Sequence, residues 1–182
     1  MKDLKLATTK KGSYFVSRNG IENLKSFYSL MYIDIQERLK ECCPEIQWME
    51  RYFGQDKFAF RAGVAFPAIL IDFPDTIYSG ESGASQMCET TICLRLLFSS
   101  YSQASAYAPD TTRARAMEFY ELEDRIVAAL HNWTPPKNYC QSLVRVRAES
   151  EYNRRTPNDN RNGVFDLRIL TFTTCYEVDF YE

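Results

Sequence analysis

Apolar residues first settle into a rhythm at Ile21, after which Leu24, Phe27 or Tyr28, Met31, Ile35, Leu39 and Cys42 follow at steps of three or four. Steps of that size put side chains on one stripe of a helix. Lys25, Asp34, Glu37, Arg38 and Lys40 fall on the opposite, polar face. Asn19-Gly20 stand ahead as a cap region, and Pro44 ends the run because proline cannot continue the hydrogen-bond ladder. The same period returns after Asp110 or Thr111, with Phe119, Leu122, Ile126, Ala129 or Leu130, and Trp133 as the buried stripe. Arg113, Arg115, Glu121, Glu123 and Asp124 are expected to face water, and Asn132 to Pro136 stop this second helix.

Elsewhere the period is two, the signature of a strand with one buried face. Phe66 to Phe73 is a β-rich run closed by Pro74-Asp75, and TIYSGESGAS (76–85) reads as a long hairpin loop. Met87 to Phe98 follows as a long strand, with Ile92, Leu94, Leu96 and Phe98 on one face and Thr91, Cys93 and Arg95 on the other. These two runs should pair as an antiparallel hairpin. In Leu143 to Ala148, Val144, Val146 and Ala148 read as inward and Arg145 and Arg147 as outward. A polar loop, 153–163, precedes a strand over Phe165 to Leu170, and alternation resumes at Tyr176 to Phe180. Ile46 to Phe53 fits either a strand or an amphipathic turn. Residues 1–20 read as an extended arm with one aromatic cluster, Tyr14-Phe15-Val16, either frayed or ordered against a neighbouring subunit.

The core order is helix, strand, strand, helix, strand, strand. That order predicts an α+β fold: a mostly antiparallel four-stranded sheet with two helices packed on one face, plus the arm and the long hairpin loop. Residues 21–182 form the single domain. The other sheet face is expected to be partly polar, through Arg95, Arg145, Arg147, Asp166 and Arg168, and to meet solvent or another subunit.

Composition narrows the function classes. The 182 residues are 45% hydrophobic and 14% aromatic, enough for a real core. The formal net charge of -2, from 22 basic and 24 acidic residues in mixed patches, lacks the gathered basic surface of a freestanding nucleic-acid binder. No stretch approaches the roughly 20 apolar residues of a membrane-spanning helix. The N-terminus lacks the apolar run and cleavage site of a secretory signal, which points to the cytoplasm.

Chemistry is sparsely advertised. Cys42, Cys43, Cys88, Cys93, Cys140 and Cys175 lack zinc-ligand spacing, and the single histidine, His131, falls at a helix end. We read the thiols as small core hydrophobes. No nucleophile elbow, phosphate-cradling glycine loop or dinucleotide fingerprint occurs. The carboxylates Glu121, Glu123, Asp124, Asp72 and Asp75 read as solvated side chains, with Glu121 paired to Arg125. No catalytic, metal or cofactor-binding residues are therefore assigned, and the chain is read as a non-enzyme without cofactors.

The aromatic excess says more. Twelve Tyr and twelve Phe exceed what a two-layer core obviously requires. Some cap core edges, and the remainder suit protein contacts, where a tyrosine ring buries area while its hydroxyl stays hydrogen-bonded. The candidate oligomer or partner contacts are Tyr14 and Phe15 in the arm, Tyr78 in the hairpin loop, and Arg145 and Arg147 on the outward strand face. Tyr152, Arg154 and Arg155 in the polar loop, and Tyr176 and Phe180 in the tail, complete the set.

One resemblance gives these pieces a common sense. PAILIDFPD, then ETTICLRLLF, then a helix with ELEDRIVAAL, then VRVRAESEY and FDLRILTF, follow the first helix in that order. The pattern, from about Ile21 to Val178, resembles the tail terminator and tail completion proteins of long-tailed bacteriophages. The resemblance implies a homo-oligomeric ring of about six subunits that stops tail-tube growth and joins the tail to the head–tail connector. Double-stranded DNA would pass through its lumen without specific contact, no membrane would be involved, and the protein would reside in the virion after assembly in the host cytoplasm. No functional residues transfer one by one. The arm, the 76–85 loop and the aromatic tail depart from the pattern, and leave open another neck or connector component of a phage or phage-like injection particle. A small-molecule or peptide-binding module and an enzyme on the same fold are the competing classes. The first predicts an apolar pocket between helices and sheet.

Overall fold

Period-two segments distant in sequence find one another as a single five-stranded sheet of order β1-β2-β3-β5-β4. The computed structural model describes residues 24–55, 65–80, 85–98, 105–151 and 166–179. Its elements are α1 (Phe27–Cys42), β1 (Trp48–Arg51), β2 (Ala68–Ser79), β3 (Ser85–Phe98), α2 (Asp110–Leu130), β4 (Val144–Glu151) and β5 (Asp166–Asp179). The α+β class stands, whereas the expected four strands become five. The added strand, β1, runs parallel to β2 from Trp48↔Ala68 to Arg51↔Ile71, while the other pairings are antiparallel. Four residues are too few for a period to declare itself, which is why Ile46 to Phe53 was ambiguous.

Two further expectations are corrected by pairing. Thr76 to Ser79 belong to β2 and not to a long hairpin loop. The ladder with β3 continues through Thr76↔Thr90 and Tyr78↔Cys88, and the two threonine hydroxyls meet at 2.7 Å. A neighbouring strand here overrides the loop-like composition. Likewise β5 is one strand of 14 residues, and not two runs with a gap. α1 begins at Phe27 and not at Ile21, because Ser26 holds extended backbone (φ -69, ψ 133) as the N-cap, and Leu30 N–H donates to the Ser26 carbonyl at 3.0 Å. Ile21 and the arm lie outside the described residues. α2 ends at Leu130, with His131 as an extended C-cap and Asn132 in the left-handed region (φ 60), ahead of the prolines expected to stop it.

Both helices contribute to one core against one sheet face. Met31, Ile35 and Leu39 from α1 and Leu122, Ile126 and Leu130 from α2 meet Ile69, Ile71, Ile92, Leu94, Leu96, Leu170 and Phe172. The reverse face carries the exposed Asp75, Glu89 and Arg147, but at one end it is apolar and buried where a polar surface was expected. Ala68, Leu70, Leu97, Leu167 and Ile169 form a second buried cluster there, with Tyr52, Phe66 and Cys93 packed against it. Arg95 reaches over this cluster, 4.2 Å from the Tyr52 ring centroid and 3.2 Å from Glu151.

The basic residues expected to share that face are divided between the two. Arg168 pairs with Leu96 and Ser150 across the sheet, hence on the helix side. Its guanidinium grips Glu123 of α2 with two hydrogen bonds, at 2.9 and 3.2 Å, and a third reaches Ser150 at 2.9 Å. Glu123 was expected in water and is only 6% exposed. In β4 a bulge between Arg145 and Arg147 changes the alternation. Arg145 opposes Phe172 on the helix side and Arg147 opposes Thr171 on the reverse side, so the two arginines do not share a face. Val144 and Val146, expected inward, are exposed.

Two substitutions test this layering. Phe172→Ala should cost about 3–5 kcal/mol, the range for deleting a fully buried aromatic. Glu123→Ala should cost about 2 kcal/mol, less than a fully buried pair because the Arg168 side chain keeps some contact with water. Urea unfolding midpoints would read both, and a loss under about 1 kcal/mol for Phe172→Ala would contradict the core assignment.

Candidate interaction surfaces

The sheet ends laterally in two edges of different make. β4 is the last strand on one side, and no described strand pairs with its outer edge. Val144 (44% exposed) and Val146 (55%) point away from the core, flanked by exposed Arg145 and Arg147. Arg147 holds Glu149 at 2.6 Å, and the Arg145 N–H donates to His131 Nδ1 at 3.1 Å. His131 thus ties the end of α2 to the start of β4 and accepts at that nitrogen.

On the opposite side, β1 covers β2 only as far as Ile71, with a last backbone bond from Tyr52 N–H to the Ile71 carbonyl at 2.8 Å. From Asp72 to Ser79 the outer edge of β2 has no described partner strand. A bulge at Phe73-Pro74 interrupts its register with β3, and proline has no N–H to offer a neighbour. Beyond it, Ile77 (60% exposed) and Tyr78 (55%) stand out, with Met87 nearby on β3. Asp75 and Glu89 line the same stretch, Glu89 directly across from Ile77.

Beside this edge α1 leaves a cavity of about 650 Å³, bounded chiefly by Tyr28, Tyr32, Tyr52, Phe73, Arg51 and Asp72. Tyr28 hydroxyl meets Thr76 Oγ1 at 2.8 Å and lies 3.5 Å from the Tyr78 hydroxyl. Its ring crosses Phe73 edge-on at 5.4 Å. Burial holds the Tyr32 hydroxyl above the usual tyrosine value. The walls are therefore aromatic, with one cation and one carboxylate at hand.

Of the ten expected contact residues, Tyr78, Arg145 and Arg147 lie at the two edges. Tyr176 is 7% exposed and stacks on Phe27 at 3.7 Å with an interplanar angle of 4°, so it packs α1 onto the sheet inside the molecule. That correction follows from its place on β5, opposite the buried Cys88. Tyr14, Phe15, Tyr152, Arg154, Arg155 and Phe180 lie outside the described residues. Ile77, Val144 and Val146 were missed as surface residues. Glu121 is not the partner of Arg125, whose Nε–H donates to Glu45 at 2.9 Å.

Among the described residues no three His, Cys, Asp or Glu side chains converge as a metal site would require. No helix among them is long and apolar enough to cross a membrane. All six cysteines are free. Burial, aided by the Glu45 carboxylate, pushes the Cys43 thiol up to about 11, and burial pushes Cys140 up to about 11. Burial also raises Cys88 and Cys93.

These thiols make stability pH-dependent in one direction. Below pH 9.0 folded and unfolded chains both keep the Cys43 proton, and the folded state holds it until about 11. Between those values the unfolded chain ionises first, so stability falls as pH rises. Tyr139 and Tyr176, raised mainly by burial from 10.0, add a further loss that begins near pH 10. Urea midpoints taken from pH 8 to 11 should fall, and Cys43→Ala should flatten the part between 9 and 10. An unchanged slope in that variant would refute the burial of this thiol.

No protein-family model matches the chain, and no characterised protein sequence matches it.

Proposed function

We propose that the protein is a structural subunit that joins copies of itself into a ring, of the kind formed by phage tail terminator and tail completion proteins. In that role it caps the tail tube, connects it to the head–tail connector, and lets DNA pass without specific contact. The observation that carries this reading is the pair of sheet edges on opposite sides of one sheet, each exposing apolar residues: Val144 and Val146 at β4, Ile77 and Tyr78 at β2. Edges without a described partner strand are templates for another chain, and two different patches on one subunit give head-to-tail contacts, which close into a ring when the rotation between subunits closes. The order of the longer elements, α-β-β-α-β-β with the short β1 inserted, agrees with the sequence resemblance. The net charge of -2 suits a lumen that does not grip DNA.

The aromatic cavity beside α1 favours a second reading, a module that binds a peptide or small aromatic ligand. Its volume falls within the range of ligand sites, roughly 300–1,000 Å³.

Light scattering on the purified protein, alone and with a candidate tail-tube protein, separates the two. A closed assembly of about six subunits, alone or induced by the tube, is expected. A monomer at every concentration that ignores the tube would discard the ring and leave the binding module.

A further inference from the structure

We infer that the seam between copies is made by Ser13 to Ser17 of one subunit, which lie along the outer edge of β2 in the next and place Phe15 in the aromatic cavity beside α1. The inference rests on the self-assembly reading above and names the contact that reading needs.

The receiving edge is short and open. β1 ends level with Ile71, whose carbonyl accepts the Tyr52 N–H. Pro74 has no N–H to offer, so a backbone ladder is left with Thr76 to Ser79, clear of β1 and Tyr52. No described strand pairs with that stretch, and Ile77 and Tyr78 are more than half exposed. Its two faces differ. Thr76 faces the helices, where its hydroxyl meets Tyr28, whereas Ile77 faces away, across from Glu89. The cavity lies on the helix side of the same edge, among Tyr28, Tyr32 and Phe73.

Ser13-Tyr14-Phe15-Val16-Ser17 has the length and alternation this edge requires. Three strand-forming residues stand in a row between small polar ones. In extended backbone Phe15 takes one face, and Tyr14 and Val16 take the other. With Phe15 beside Thr76 on the helix side, its ring enters the cavity against Tyr28 and Phe73, as aromatic pairs favour. Tyr14 and Val16 then fall beside Ile77 and Asp75 on the far face, where they cover the exposed isoleucine. A strand laid on a sheet edge, with one side chain in a pocket, is a common way for proteins to hold an extended segment.

Charge favours this occupant. Residues 1–20 carry Lys2, Lys5, Lys10, Lys11 and Arg18 against Asp3 alone. The face beside Ile77 is acidic, with Asp75, Glu89 and Glu177 all exposed there. Opposite charges on the two partners orient the encounter and reject segments of the wrong sign. Arg51 stands at the cavity itself, so an aromatic ring and not a lysine is what enters.

Reach points to a second copy as the donor. Leu24 lines the cavity, so each chain passes the mouth of its own site just before α1. Phe15 lies nine residues upstream, a span of about 30 Å when extended. Entering its own cavity would mean doubling back through the mouth that Leu24 already occupies. An extended run carries Phe15 to a neighbour instead, whose cavity must lie within about 30 Å of the donor's Leu24.

Two substitutions in the full chain test this, one on each side of the seam. Phe15→Ala removes the anchor, and Ile77→Lys puts a cation on the exposed receiving edge. Each should weaken assembly roughly tenfold by sedimentation or light scattering, with urea midpoints unchanged. Mixing the two variants should give mixed dimers at concentrations where neither associates alone, because one seam then has both halves intact. A labelled peptide of residues 10–19 should bind the Phe15→Ala chain saturably, more weakly as salt rises, and should not bind the Phe15→Ala/Ile77→Lys chain. A wild type that assembles while the peptide fails to bind, or while neither substitution matters, would overturn this seam and leave the ring reading standing. Variants that the mixture does not rescue would overturn the second copy as donor. A wild type that stays monomeric would overturn the ring reading and that donor together, even where the peptide binds.

Discussion

Everything else in the fold hangs on the ladder between β3 and β5. Fourteen residue pairs, from Ser85↔Asp179 to Phe98↔Asp166, run without a bulge. An unbroken antiparallel ladder holds the faces of both strands constant, because a one-residue slip would exchange every buried side chain for an exposed one. That constancy lets Ile92, Leu94, Leu170 and Phe172 meet the helices while Leu97, Leu167 and Ile169 build the second cluster behind them. Neither cluster is complete without residues from both β3 and β5, such as Leu94 with Leu170 and Leu97 with Leu167, which are remote from one another in the chain. The irregularities are confined to the flanking pairs, β2 with β3 and β4 with β5. The centre of the sheet specifies the fold, and its flanks specify what the surface displays.

Legibility in the sequence follows the same division. The stripes Met31, Ile35, Leu39 and Leu122, Ile126, Leu130 were readable because a helix reports its buried face within a few turns. β3 was readable because its alternation is never broken. What the flanks do was not readable, since each feature depends on a partner remote in sequence. Residues 76–79 look like loop until β3 lies beside them. Val144-Arg145-Val146-Arg147 looks like perfect alternation, yet pairing with β5 inserts a bulge that sends its arginines to opposite faces. Glu123 looks solvated on a helix wheel, and is buried because Arg168, 45 residues later, comes to it. Tyr78, Arg145 and Arg147 were identified from residue type alone and do reach the surface. Tyr176 was identified by the same reasoning, which could not see Phe27 stacked on it.

The two edges share a further property that bears on specificity. An open edge pairs indiscriminately unless something blunts it, and proteins use bulges and proline to do so. Both devices are present: Phe73-Pro74 disturbs β2, and on β4 a bulge at Val146 accompanies the capture of the Arg145 N–H by His131. Backbone pairing of arbitrary strands is thereby weakened at both edges. Exposed apolar residues and charges of opposite sign remain beside them, which rewards a partner of matching pattern and little else.

A contact built this way is weak as a single event, because a few cross-strand pairs contribute only tenths to about 1 kcal/mol each. Closure changes the arithmetic. Once a chain of head-to-tail copies bends round, the last seam forms within one assembly, at an effective concentration far above that of free subunits. In the proposed ring each subunit would be held by two contacts, and removing it would break both. Blunted edges with complementary side chains therefore suit a component that must not polymerise on its own indefinitely yet must close stably once enough copies are aligned. The same edges on a monomeric binding module would bring exposed valine and isoleucine with no gain to offset the aggregation hazard. That asymmetry weighs toward assembly even though the cavity beside α1 is large enough to hold a ligand.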